Sequence, residues 1–296
     1  MRIHRNGLRF AVVLVLATAF PSEARAQRPA ADSTRGPGPT HMLKTRDGSM
    51  LLGRLVAETP DTVRFETAGG LLVVPRTSVA ELRRIDAGDV HDGEYWSPDP
   101  NGTRLFFAPT GRMLKQGEGY FNDTYVVLMQ FVGGLTDHVT MGGGFSVIPS
   151  SDITQNVFYL SPKVRLIGSG DLDVAVGALV GFAGHTNGSG GILYAVATNG
   201  GPDASVSVGA GWIYSGKNVS SNPVLMLGGG LRVSRRAALI SENYLFSGFG
   251  THAAAMYGVR FFGEKLSVDL AFLNVFGRDV DQYFPGIPYV AFSTRF

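Results

Sequence analysis

The side chains able to do chemistry fall into two sets. The first offers a nucleophile, bases and acids: Ser189, His185, His252, Asp279 and Asp281. Hydrolysis by such a group needs base and acid within hydrogen-bond reach of the nucleophile. Each lies at the edge of an alternating stretch, and counting the stretches puts all five at one rim of the fold. No motif ties them together. They read as solvated loop residues, with a rim active site or a metal site as the sharper alternatives. The second set is polar and embedded in apolar alternation: Gln130, Lys163, Arg165, Asp173, Arg232, Arg260, Asp269 and Arg295. On the inner face of a closed sheet these would either select solutes by charge or pair across a narrow lumen. Basic and acidic residues are nearly balanced from Thr103 onward, which favours pairing. Glu242 is the odd case, because it shares a face with Ile240, Tyr244 and Phe246. Gly142-Gly143-Gly144 and Gly228-Gly229-Gly230 have no Lys-Ser/Thr after them, which excludes a phosphate loop. They read as strand glycines where backbones crowd or bend. No catalytic, cofactor-binding or metal residue is assigned, and the chain reads as a non-enzyme without a cofactor.

The elements that would position these residues are strands. Leu172, Val174, Val176, Ala178, Val180 and Phe182 alternate with Asp173, Ala175, Gly177 and Gly181. Val206, Val208, Ala210, Trp212 and Tyr214 alternate with Ser205, Ser207, Gly209 and Gly211. A period of two marks a strand with two different faces. Eleven such stretches run from Gly119 to Phe296, near 119–133, 138–149, 155–168, 171–185, 190–199, 203–215, 222–234, 237–248, 252–263, 265–276 and 287–296. Each is long enough to cross a bilayer at a tilt, which takes about 9–11 residues. The large apolar row suits lipid and the small polar row suits a tight lumen. A soluble sandwich would put its large residues inside and its charges outside. Here the strand charges share the small-residue face.

Charge and cysteine content narrow the compartment. Arg2, Arg5 and Arg9 precede an apolar core from Ala11 to Phe20 and the small-x-small site Ala24-Arg25-Ala26, so residues 1–26 read as a secretory signal peptide. Without them the net charge of +2 falls to −1, and the basic pI is no argument for nucleic acid. There are no cysteines, so an exported chain must be held by its core or by a closed hydrogen-bond network.

Residues 27–40 read as a flexible leader and 87–102 as a linker. Between them, residues 41–86 give five short strands separated by Asp47-Gly48, Pro60-Asp61 and Gly69-Gly70. Their rhythm resembles small SH3-like or Sm-like barrels, which implies a periplasmic β-domain with a possible envelope partner.

The C-terminus resembles that of bacterial outer-membrane β-barrels. The row Pro288, Val290, Phe292, Thr294, Phe296 ends on an aromatic residue, although Thr294 stands where that pattern has a second aromatic. The resemblance implies recognition by the barrel-assembly machinery through Phe296 and contact with outer-membrane lipid. The run Pro100 to Gly111, with Leu114-Lys115-Gln116-Gly117-Glu118-Gly119-Tyr120, Gly134-Leu135-Thr136-Asp137 and Gly142-Gly143-Gly144, also resembles a group of bacterial outer-membrane proteins. It implies a barrel and a compartment but no substrate.

Single-chain bacterial barrels have even strand numbers, and eleven is odd. Thr103–Pro109 is the candidate for a twelfth, first strand paired with Ile287–Phe296. The alternative is ten strands with that segment tucked into the lumen. The reading is therefore all-β: an up-and-down transmembrane barrel over 103–296 of about twelve strands, preceded by a five-stranded domain. Its role reads as a narrow passive channel or a structural envelope protein, with an outer-membrane hydrolase or a soluble exported sandwich as alternatives.

Overall fold

The computed structural model describes residues 40–147, 156–183, 189–246, 251–277 and 284–296. The segments read as signal peptide and leader fall outside them, except Thr40. So do His185, Asp279 and Asp281.

Two units form, one ending at Ser97 and one running from Pro98 to Phe296. The first is a five-stranded antiparallel sheet, β1 (His41–Thr45), β2 (Met50–Glu58), β3 (Thr62–Thr67), β4 (Gly70–Pro75) and β5 (Val79–Arg84), in the order β4-β3-β2-β1-β5. Leu43, Val63, Phe65 and Val79 form its core. The stretch expected to be linker is structured: β6 (Val90–His91) pairs with β7 (Glu94–Tyr95), and Tyr95 is buried with Met42 and Ile85.

The second unit is a closed antiparallel barrel of twelve strands. They are β8 (Gly119–Thr124), β9 (Leu128–Thr136), β10 (Val139–Ser146), β11 (Val157–Ser169), β12 (Leu172–Ala183), β13 (Ser189–Gly200), β14 (Ala204–Ser215), β16 (Val224–Ser234), β17 (Ala237–Phe246), β18 (Thr251–Phe262), β19 (Leu266–Gly277) and β20 (Ile287–Arg295), with the short β15 (Asn218–Val219) folded onto β14. Each strand pairs with the next and β20 returns to β8, which removes the open edges an isolated sheet would carry. The even count puts Gly119 and Phe296 at one mouth, called here the terminal mouth.

The count is twelve, but the expected first strand is not one of them. The stretch 119–133, read as a single strand, is the hairpin β8–β9. Its turn residues Tyr125 and Val126 have φ of 58° and 62°. Closure runs from Ala291↔Thr124 to Arg295↔Tyr120, so the partner of the last strand is β8 and not Thr103–Pro109.

The outer row is apolar from strand to strand. Phe131, Leu160, Leu193, Val208, Leu225, Leu245, Phe261, Leu270 and Phe292 are all exposed. Contiguous apolar surface on this scale is foreign to a soluble monomer. It is the outward band of a transmembrane barrel.

Candidate functional site: a plugged lumen

Residues 99–114 fill the middle of the barrel. Thr103 to Thr110 folds back on itself, with the Thr110 amide donating to the Thr103 carbonyl at 3.0 Å and the Leu105 amide to the Ala108 carbonyl at 2.8 Å. Leu105, Phe106 and Ala108 are buried against Ala175, Val196, Met226, Ile240, Met256, Ala271, Tyr289 and Ala291, which project from β12, β13 and β16–β20. Two glycines, one on the wall and one on the plug, make this approach possible. A Cβ on Gly228 would collide with the Leu105 side chain, and one on plug residue Gly111 would collide with the Asp173 carbonyl. Crowding of this kind is the work the strand-glycine reading assigned to Gly228-Gly229-Gly230.

A hairpin inside a barrel has no neighbouring strand to pair with. At membrane depth, irregular backbone is tolerated only where its polar groups are satisfied by protein or water. Here inward side chains do this. The Glu242 carboxylate accepts the consecutive backbone amides of Phe106 (2.7 Å), Phe107 (3.0 Å) and Ala108 (3.1 Å), together with the Tyr244 hydroxyl at 2.6 Å. The Lys163 ammonium donates to the carbonyls of Thr103, Thr110 and Arg112 at 3.3, 3.1 and 2.6 Å. The Arg260 guanidinium donates to the carbonyls of Leu105 (2.6 Å), Asn101 (3.0 Å) and Arg104 (3.3 Å).

Arg260 also anchors a balanced charge cluster. It pairs with Asp269 at 2.6 and 3.0 Å and with Asp99 at 2.9 Å. Arg104 reaches the same Asp269 at 3.4 Å, and it donates to Asn101, to the Phe106 carbonyl at 2.8 Å, to Asn122 and to Ser293. Burying charge is costly unless it is paired and hydrogen-bonded. Both conditions hold here.

The polar residues singled out in the sequence thus occupy different places. Lys163, Arg260 and Asp269 are buried and grip the plug. Gln130 donates to Ser161 at 3.3 Å on the neighbouring wall. The other charges sit near the terminal mouth. Arg165 lies 3.7 Å from Asp173, Arg232 lies 3.5 Å from Asp203 and over the Phe262 ring, and Arg295 pairs with Glu118. Glu242 needs no bulge, since β17 keeps an unbroken register with β18 from Ala237 to Leu245. Its apolar companions Ile240 and Tyr244 face the plug. Sequence reasoning did not assign Asp99, Asn101, Arg104 or Asn122, and the small polar lumen it expected is, at mid-depth, an apolar layer. Of the rim group, His252 is exposed on β18 and Ser189 is half-buried at the start of β13. Among the described residues no cluster of His, Asp and Glu could hold a metal.

The plug divides the lumen. A cavity of about 250 Å³ lies between Phe107, Ala108 and Pro109 and the far halves of the strands. A second, of about 340 Å³, lies at the terminal mouth around Asp99, Arg112, Glu118 and Arg295. Of the residues lining the two cavities, only Thr103 is shared.

No protein-family model and no curated protein matches the chain. Among solved structures it is similar to the KdgM porin in complex with disordered oligogalacturonate, at 7% identity and a TM-score of 0.44, covering 60% of this chain and 96% of that one. It is also similar to the NanC porin, at 8% and 0.40, covering 60% and 97%. A third is OmpT, an outer-membrane protein of Vibrio cholerae, at 13% and 0.33, covering 87% and 94%. The membrane assignment rests on the closed strand order and the apolar outer row.

Proposed function

We propose that this protein is a plugged outer-membrane barrel, closed at rest, that anchors its N-terminal β-unit on the periplasmic side. The carrying observation is the set of hydrogen bonds in which Glu242 accepts from, and Lys163 and Arg260 donate to, the backbone of residues 101–112. Withdrawing the plug would strip Lys163 and Glu242 of their backbone partners and leave Arg260 with Asp269 alone, at a cost of several kcal/mol per uncompensated ion. A freely open pore with inward charges does not need such bonds. Short turns support this orientation: the connections at the terminal mouth are the tight ones, and barrels of this kind turn their short-turn side to the periplasm. Outer-membrane lipid surrounds the apolar row, and residues 41–86 are then free to hold an envelope partner.

The test is conductance in planar bilayers. The full-length protein should give no steady current, and a stable ohmic conductance from it would overturn the closed-barrel reading. A gated channel is the second reading, favoured by the two cavities that flank the plug. It predicts discrete openings under voltage that disappear when the plug is cross-linked to the wall.

A further inference from the structure

We infer that the cavity beyond the plug is a binding site for a small, uncharged, mainly apolar molecule carrying one hydrogen-bonding group. The inference goes beyond the closed-barrel reading and does not depend on conductance.

The cavity is two-sided. One wall, from β12, β13 and β16, presents Leu179, Ile192, Val196, Val224 and Met226, and the plug adds Phe107 as part of the floor. The other, from β9–β11, presents Gln130, Thr140 and Ser161. Leu179 faces the lumen, in step with buried Ala175, yet remains 40% exposed, so its surface is open to this space. Ser161 is half-buried on the cavity wall, and its hydroxyl oxygen accepts from the Gln130 amide at 3.3 Å, which leaves its proton to donate. An apolar chamber with few convergent polar groups is the usual form of a small-molecule site, and this hydroxyl marks where a ligand's own hydroxyl or carbonyl would sit.

Size and charge narrow the class. An apolar cavity of about 150 Å³ is enough for benzene, so about 250 Å³ suits one or two fused rings with a small substituent. Lys163 and Arg104 also border the space. The ammonium donates to three plug carbonyls, and the guanidinium to Asn101, Asn122, Ser293, Asp269 and the Phe106 carbonyl, so both are committed before an anion arrives. A neutral ligand fits this wall better than a charged one.

The test uses 1-naphthol as probe and the full-length protein in lipid nanodiscs, with empty nanodiscs as the partition control. Saturable one-site binding above that control is expected. 1-Naphthalenesulfonate should bind at least about tenfold more weakly. Ser161→Ala, which removes the hydroxyl, should weaken naphthol about three- to tenfold, the range of one net hydrogen bond. Leu179→Trp should fill the cavity and abolish saturable binding while the heat-dependent gel shift of a folded barrel persists. If that variant fails to assemble, Ile192→Trp on the adjacent strand takes its place. Binding no greater than in empty nanodiscs, undiminished binding in the filled variant, or tighter binding of the sulfonate would each overturn the inference.

Discussion

The Glu242 carboxylate accepts the backbone amide of Phe106 at 2.7 Å across 136 residues of sequence. It is the contact around which the plug turns. The amides of Phe107 and Ala108 converge on the same group, so one side chain replaces the partner strand that this hairpin lacks.

Removing that acceptor should therefore be expensive. Glu242→Ala leaves three turn amides and the Tyr244 hydroxyl without their partner, and each unsatisfied buried group costs ~1–3 kcal/mol. Water entering the lumen recovers part, so a net loss of about 3 kcal/mol is expected in urea unfolding followed by the gel shift. Glu242→Gln keeps one acceptor oxygen and should lose about half as much. Equal stability of wild type and Glu242→Ala would mean the plug is not held there.

The Arg260–Asp269 pair should behave as a buried ion pair. Both side chains are 1% exposed. Arg260→Met leaves the Asp269 carboxylate with only the longer 3.4 Å contact to Arg104 and should cost about 3 kcal/mol. Adding Asp269→Leu removes that under-compensated charge, so the double variant should be more stable than Arg260→Met alone. Strictly additive losses in this double-mutant cycle would show that the two groups do not depend on each other.

How much of this could be read in advance varies by element. The faces of β12, β14 and β20 were legible because a period of two survives any context. The β8–β9 turn was not, since Tyr125-Val126 carries none of the Gly, Asn or Asp chemistry that marks a hairpin. That Thr103–Pro109 lies tucked in the lumen was legible as the alternative to a first strand, although that alternative carried ten strands; what grips it was hidden for another reason. The partners of Lys163 and Arg260 are largely backbone carbonyls, and a carbonyl leaves no trace in a sequence. Glu242 did leave a trace, as a lone carboxylate on an apolar inward face, but its meaning required a plug that brings its own apolar residues. Parity led to the correct number by a wrong path: one expected strand was lost to the lumen while another proved to be two.

The closing seam can be trapped covalently. Gly119 and Phe296 exchange both backbone hydrogen bonds, at 3.3 and 3.0 Å. Opposed residues alternate along an antiparallel pair, so Thr124 and Ala291 form a non-hydrogen-bonded pair with closely spaced side chains. The chain has no cysteine to interfere. Thr124→Cys with Ala291→Cys should form a disulfide on mild oxidation, seen as a reductant-sensitive shift after boiling. Asp123→Cys with Ala291→Cys points the two thiols to opposite faces and should not. A cross-link in the second pair and none in the first would move the register by one.

The β8–β9 turn should be improvable by a single change. Val126 sits at φ 62° and is 69% exposed, so its β-branched side chain makes no compensating core contact. The left-handed region costs such a residue ~1–2 kcal/mol, whereas glycine enters it freely. Glycine also gains freedom in the unfolded chain, which offsets ~0.5–1 kcal/mol of that relief. Val126→Gly should therefore stabilise the barrel by about 1 kcal/mol, read as a raised urea midpoint with unchanged slope. Tyr125 is best left alone, because its hydroxyl donates to the Pro288 carbonyl at 2.6 Å and ties the turn to β20. A lowered midpoint in Val126→Gly would show that the turn does not hold Val126 in the left-handed region, and the hairpin that completes the twelve strands would have to be redrawn.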